Sequence, residues 1–295
     1  MLSEAQVKQY HGHGYTVVEE LFDSSDMAPW LVEIERVSAG ATLANHDRTR
    51  VEMEPDQPPN GTLLRRIYEP CTHYPPFRDL SESDKLLRCV EQLLGPDLEF
   101  HYSKINMKPP AIGSMVEWHQ DLAYYPLTNS DSVSIMIYLD DADCANGCLQ
   151  ALPGRHRANL MSHNRNGYFQ GRITDPVDES QAVALEAPAG SVIFMHCLTP
   201  HASAANTSGQ ARRTLILSYR ASDAYPVYAG QGTVAAEAHL RQVRGVKRLS
   251  ARFSFSEFPI PCSRRPVQSL YQLQELSRQE ERESSSTTEA PSRKL

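Results

Sequence analysis

The sequence predicts a mainly β protein, a jelly-roll core with helices flanking it on the N-terminal side. Two observations carry this expectation. Six short segments, 99–108, 132–140, 148–152, 182–187, 191–197 and 213–220, are rich in Val, Ile, Leu and Tyr and separated by turn residues. Many short strands with such punctuation pack as a sandwich or barrel. The clearest helical periodicity precedes all of them, ending at Leu94. The chain has 295 residues, 40% of them apolar, so one large core can be buried.

The elements read in order as follows. Ser3 with Gln6 forms a capping-box pattern, which starts a helix that Gly12 and Gly14 end. YTVVEELF, 15–22, then reads as a strand, and a second helix is expected over 25–37. The stretch 40–76 is polar, rich in Pro and Asn, and reads as irregular. A third helix is expected over Ser81–Leu94, with Ser81 as cap and Leu86, Leu87, Val90, Leu93 and Leu94 on one face. Gly95-Pro96 stops it. Among the strands, Asn146-Gly147 is a hairpin signal and Pro188-Ala-Gly190-Ser191 a turn. From Ser277 the chain is mostly Glu, Arg, Ser and Thr, with little to bury. The expected organisation is one domain over 1–276 and a disordered polar tail over 277–295.

Composition removes several functions. The formal net charge is −7 and no basic stripe occurs, so nucleic acid is not an expected partner. No run reaches the roughly 18 apolar residues of a membrane span. The N-terminus lacks a basic start followed by an apolar stretch, and a cytoplasmic protein is expected. The final Arg293-Lys294-Leu295 partly matches a peroxisomal address, with arginine where a small residue belongs. The six cysteines, 71, 89, 144, 148, 197 and 262, make no CxxC pair and read as reduced thiols. Cys144 and Cys148 stand four apart without a second pair.

Chemistry enters at Trp118-His119-Gln120-Asp121. In extended chain, residues i and i+2 point the same way, so one imidazole and one carboxylate converge. Alone, His-x-Asp is a common chance pattern. A second segment, Gly190 to Ser203, is a turn and strand that deliver His201 eighty residues after Asp121. Two His and one carboxylate make the facial triad of non-haem iron(II), with positions left open. Arg212, eleven residues after His201, lies at or near the start of the apolar strand TLILSY. A buried Arg needs a partner, and its planar fork suits a carboxylate such as that of 2-oxoglutarate. Ser203 could add a hydrogen bond. His196 is the rival distal ligand and Arg213 the rival anchor. Strand alternation lets only one of Arg212 and Arg213 point inward.

The run HQDLAYYP (119–126), the block Asn146-Gly-Cys-Leu-Gln-Ala-Leu-Pro-Gly-Arg-His156 and the Gly190–Arg212 stretch, in this order, resemble the phytanoyl-CoA dioxygenase family. The resemblance spans 1–222 and is weakest in 40–75. It implies a double-stranded β-helix of cupin type. It also implies His119, Asp121 and His201 as iron(II) ligands and Arg212 with Ser203 as the 2-oxoglutarate anchor. Lys104 aligns near a further 2-oxoglutarate contact, and Gln120 is assigned to the cofactor side. The family's tryptophan contact falls near Met136 or Ile137, and an upstream basic contact near Arg66. The expected reaction consumes O2 and 2-oxoglutarate, with ascorbate as in vitro reductant, and hydroxylates an unactivated C–H bond, releasing succinate and CO2. Desaturation, epoxidation or ring formation on the same scaffold is the alternative. A metalloenzyme without cosubstrate and a non-catalytic sensor are the rival classes. Segments 40–75, 101–106, 122–128, 157–180 and 222–262 are expected to line a site for a small or medium metabolite, in a monomer or homodimer. Their mix of aromatic and basic residues leaves acyl-CoA and other metabolites both open.

Overall fold

The computed structural model describes residues 1–227 and 240–254. Its helices are α1 (Glu4–His13), α2 (Ser24–Ser38), α3 (Pro70–His73), α4 (Pro75–Ser81) and α5 (Asp84–Leu94). The first strands are β1 (Tyr15–Val18), β2 (Val51–Met53), β3 (Leu64–Tyr68), β4 (Leu98–Lys108), β5 (Val116–His119) and β6 (Ser132–Tyr138). They are followed by β7 (Leu149–Ala151), β8 (Asn164–Arg165), β9 (Tyr168–Phe169) and β10 (Val183–Leu185). The last are β11 (Val192–His196), β12 (His201–Ser203), β13 (Arg212–Ala221) and β14 (Arg241–Arg244).

Two antiparallel sheets form the jelly roll, and β8 and β9 pair apart from them as a two-stranded ribbon. The larger has the order β1-β11-β6-β13-β4-β3-β2, with β14 added on β4, and the smaller the order β10-β7-β12-β5. Sequence alternation explains how they pack. Ile135 and Ile137 of β6 and Leu215 and Leu217 of β13 pack with Trp30 and Ile34 of α2 and Leu86, Leu87 and Val90 of α5. The opposite face sends Met136, Ile193 and Ile216 against Leu149, Ala151 and Leu185 of the smaller sheet. The larger sheet is therefore buried on both faces, and every residue of β6 is buried. Each Leu, Ile, Val or Met side chain among these contributes about 1.5–3 kcal/mol when fully buried.

The capping box of α1 is present, with Ser3 accepting from the Gln6 amide and Gln6 from that of Ser3. Gly14 closes the helix at φ 85°, in the left-handed region. Four expectations need correction. β1 stops at Val18, because Glu20 turns the chain at φ 48°. Ser81 does not cap α5; it ends α4 and is buried, and Ser83 takes the cap position. Pro75 and Pro76 start that extra helix, since a first turn has no use for the missing amide protons. The 40–76 stretch is not wholly irregular: it holds β2, β3 and α3, and β3 pairs with β4. Asn146-Gly147 does not join hairpin partners, because β6 lies in the larger sheet and β7 in the smaller. The proposed tail over 277–295 and Cys262 lie outside the described residues. Among the described residues, no helix is long and apolar enough to cross a membrane.

The turn into β11 depends on Gly190. Its φ is +85°, and an added Cβ would lie 1.8 Å from the Phe22 carbonyl oxygen. Gly190→Ala is expected to destabilise the fold by at least about 2 kcal/mol. Chemical denaturation checks this; an unchanged midpoint would show that the turn relaxes freely.

Candidate metal and cosubstrate site

β5 and β12 pair antiparallel with His119 directly opposite His201. The ring centroids stand 4.1 Å apart. After His119 the chain passes Gln120 and enters a short 3-10 turn over Asp121–Ala123, which keeps the carboxylate near the strand end. Asp121 Oδ1 lies 3.8 Å from His119 Nε2 and 3.9 Å from His201 Nε2. One ligand atom from each of the three falls within 4.8 Å of the others.

The tautomers follow from the backbone. His119 Nδ1 donates to the Glu117 carbonyl at 2.8 Å and His201 Nδ1 to the Thr199 carbonyl at 3.0 Å. Both Nε2 lone pairs are left for a metal, the usual device for orienting ligating histidines. Burial, with His201 beside it, pushes His119 down to about 3, so its imidazole is neutral. Burial pushes Asp121 up, but His201, His119 and the Ser134 hydroxyl outweigh it and hold the carboxyl below its ordinary range. Ser134 Oγ donates to Asp121 Oδ2. Two imidazoles and one carboxylate, each already oriented by a hydrogen bond, suit a divalent transition metal.

The triad opens into a cavity between the sheets, lined also by Tyr102, Lys104 and Asn106 of β4, Met136 of β6, Ser203 of β12 and Arg212 of β13. Arg212 is 2% exposed. Its Nη1 donates to Thr214 Oγ1 at 2.7 Å and its Nη2 to the Gly147 carbonyl, while Nε has no partner among the described residues. No carboxylate pairs with it among the described residues. A buried guanidinium whose charge no protein group neutralises fits an anionic ligand, and a carboxylate matches its fork. Arg213 points the other way and holds Asp140 at 2.6 and 2.9 Å. Lys104 also faces the cavity; burial, then the nearby Arg66, lowers it to about 8.

Gln120 does not reach the cavity. Alternation turns it away from its neighbours, and its amide is occupied by the Leu198 carbonyl and the Met161 amide, both at 2.8 Å. Its assignment to the cofactor side is therefore replaced by a clamping role between two loops. His196 is also elsewhere, with its ring 5.2 Å from His156 and 6.1 Å from Tyr10. Arg66 lies outside the lining and pairs with Glu52 at 3.0 Å. Met136 faces the cavity, whereas Ile137 packs in the outer core. Segments 40–75 and 157–180 contribute no lining residue among those described.

Asn106 falls in the expected lining segment 101–106, whereas Ser134, Thr214 and Ser218 line the cavity outside every expected segment. A signal existed: each is a polar residue inside an otherwise apolar or aromatic strand, at a position in step with its inward neighbours. Asn106 Oδ1 is buried without a partner among the described residues.

Comparison with known proteins agrees with this geometry. The family model described as Phytanoyl-CoA dioxygenase (PhyH) matches residues 10–214. A probable alpha-ketoglutarate-dependent hypophosphite dioxygenase of Stutzerimonas stutzeri is 33% identical over 234 residues, covering 77% of this chain and 81% of that one. The peroxisomal phytanoyl-CoA dioxygenase of Mus musculus is 26% identical over 250 residues, covering 76% and 70%. The crystal structure of EvdO2 from Micromonospora carbonacea var. aurantiaca, complexed with 2-oxoglutarate, superposes with a TM-score of 0.60 at 26% identity, covering 78% of this chain and 95% of that one. The chain belongs to the phytanoyl-CoA dioxygenase (PhyH) family, within the 2-oxoglutarate-dependent dioxygenases.

Proposed function

We propose that His119, Asp121 and His201 bind iron(II), that Arg212 and Ser203 bind the distal carboxylate of 2-oxoglutarate, and that the chain hydroxylates a C–H bond of a small or medium metabolite. One observation carries the reading. The buried Arg212, paired with no carboxylate among the described residues, faces the same cavity as the three converging ligand atoms. Iron bound at the triad would couple oxidative decarboxylation of 2-oxoglutarate, giving succinate and CO2, to oxidation of the substrate by O2.

The protein's part is placement and shielding. The Glu117 and Thr199 carbonyls fix both imidazoles, and the Ser134 hydroxyl fixes the carboxylate. Arg212 sets the depth and direction of the cosubstrate, with Thr214 and Gly147 holding the guanidinium from behind. Lys104 supplies a second positive charge on the same wall, and Asn106 a free acceptor. Tyr102, Tyr125 and Ser218 give the cavity an amphipathic wall, which supports a compact polar substrate. A single domain through residue 276 is part of the proposal.

The test is succinate release. Purified chain with iron(II), ascorbate and 2-oxoglutarate is offered a metabolite panel that includes small oxyanions and branched acyl-CoAs. The expected result is substrate-stimulated succinate with a product heavier by one oxygen. A substrate converted at full rate without 2-oxoglutarate would overturn the reading, and one desaturated or cyclised instead would replace hydroxylation with that outcome.

A further inference from the structure

A second convergent donor set lies where the strap between β6 and β7 meets the chain just after β10. The sulfurs of Cys144 and Cys148 and a carboxylate oxygen of Glu186 all fall within 4.8 Å of one another. Cys148 is buried, while Cys144 and Glu186 are exposed, so the cluster opens to solvent on one side. None of the three lines the cavity of the iron triad.

The backbone holds these groups in place before any ligand arrives. Ala142 and Ala187 form a bridge with reciprocal bonds of 2.9 and 3.0 Å, which sets the strap against the segment carrying Glu186. The Asp143 amide donates to Asn146 Oδ1 at 3.0 Å, and the Asn146 amide donates back to Asp143 Oδ1 at 2.8 Å. The Cys148 amide closes the loop on the Asp143 carbonyl at 2.8 Å. The Cys144 amide donates to Glu186 Oε1 at 2.8 Å and so orients the carboxylate over the sulfurs.

We propose that Cys144, Cys148 and Glu186 form a binding site for a thiophilic divalent cation of the zinc class. Two thiolates and one carboxylate are a donor set that such cations accept, with water filling the fourth tetrahedral position. The alternative, a peroxide-sensing thiol pair, is disfavoured by the same carboxylate. Negative charge beside a thiol works against the thiolate that oxidation requires, whereas a bound dication favours it. Each thiol gives its proton to solvent as its sulfur binds, so uptake of one cation releases two protons.

The location gives the site a consequence. Gly147, between the two cysteines, offers its carbonyl to Arg212 Nη2. Ala145 on the same strap accepts from the Thr207 amide at 2.9 Å, just beyond β12. A cation held by Cys144, Cys148 and Glu186 therefore clamps the strap that positions the guanidinium.

The experiment is a titration of the reduced, metal-free full chain with cobalt(II), followed by absorbance. Thiolate ligation gives a sulfur-to-cobalt charge-transfer band, which the His119, Asp121 and His201 set cannot give because it has no sulfur. The band is expected in the wild type and in His119→Ala, and in His119→Ala, where the histidine-aspartate set is broken, it should saturate at one cobalt. It should vanish in Cys144→Ser, an exposed position where folding is checked by circular dichroism. Glu186→Gln should weaken cobalt binding roughly tenfold or more. Absence of the band from reduced wild-type protein, or its survival in Cys144→Ser, would overturn the proposal, and either result leaves the iron reading untouched.

Discussion

Replacing His119 with alanine is expected to lower iron-dependent turnover by at least about a hundredfold. Losing even an outer partner of a metal ligand costs about 10–100-fold in affinity or activity, so losing a ligand lies beyond that range. The geometry makes substitution by a neighbour difficult. His196 lies toward His156 and Tyr10, and His163 Nε2 is taken by the Gln120 amide at 3.0 Å. Ser134→Ala provides the graded control. It removes only the hydroxyl on Asp121 Oδ2, and a loss of roughly tenfold in iron affinity is expected. Iron titration with activity as readout checks both. Full activity in His119→Ala would show that the converging atoms are not the metal site.

Arg212→Ala is expected to raise the 2-oxoglutarate concentration needed for half-maximal rate by about 10- to 100-fold. A charge-assisted hydrogen bond to a buried group contributes about 1.5–3 kcal/mol, and each 1.4 kcal/mol is about tenfold. Arg213→Ala is the matched comparison. Its pair with Asp140 is partly exposed, with side chains 24% and 22% accessible. Screening limits such a pair to about 1 kcal/mol or less, and the loss falls on stability rather than on cosubstrate binding. Measured side by side, the two variants should differ chiefly in KM for 2-oxoglutarate. Equal effects, or the reverse ranking, would move the anchor away from Arg212.

Much of the site was legible because it rests on short-range rules. His119 and Asp121 converge through spacing of two, and the long interval to His201 already implied a partner strand. Gln120 was misread for a related reason. The same alternation that aims its neighbours inward turns Gln120 toward Leu198 and Met161, and only the loops around it show what it meets. The place of Ser134 in an apolar strand marks it as facing the cavity but carries no sign of what it binds. Its meaning comes from Asp121, thirteen positions away.

The strand texture, the first helix cap and the order of the ligand-bearing segments belong to the amino-acid sequence by itself. Hydrophobic period and capping chemistry act within a few residues, so they can be read along the chain. Register between distant strands cannot. Only the tertiary structure places His119 opposite His201, turns Arg212 inward and Arg213 out to Asp140, and sends the Asn146-Gly147 turn between sheets rather than into a hairpin. Those outcomes follow from which faces the two sheets bury together, a contest among apolar surfaces far apart in sequence. That contest also leaves Arg212 without a carboxylate partner among the described residues, the feature on which the proposed cosubstrate site rests.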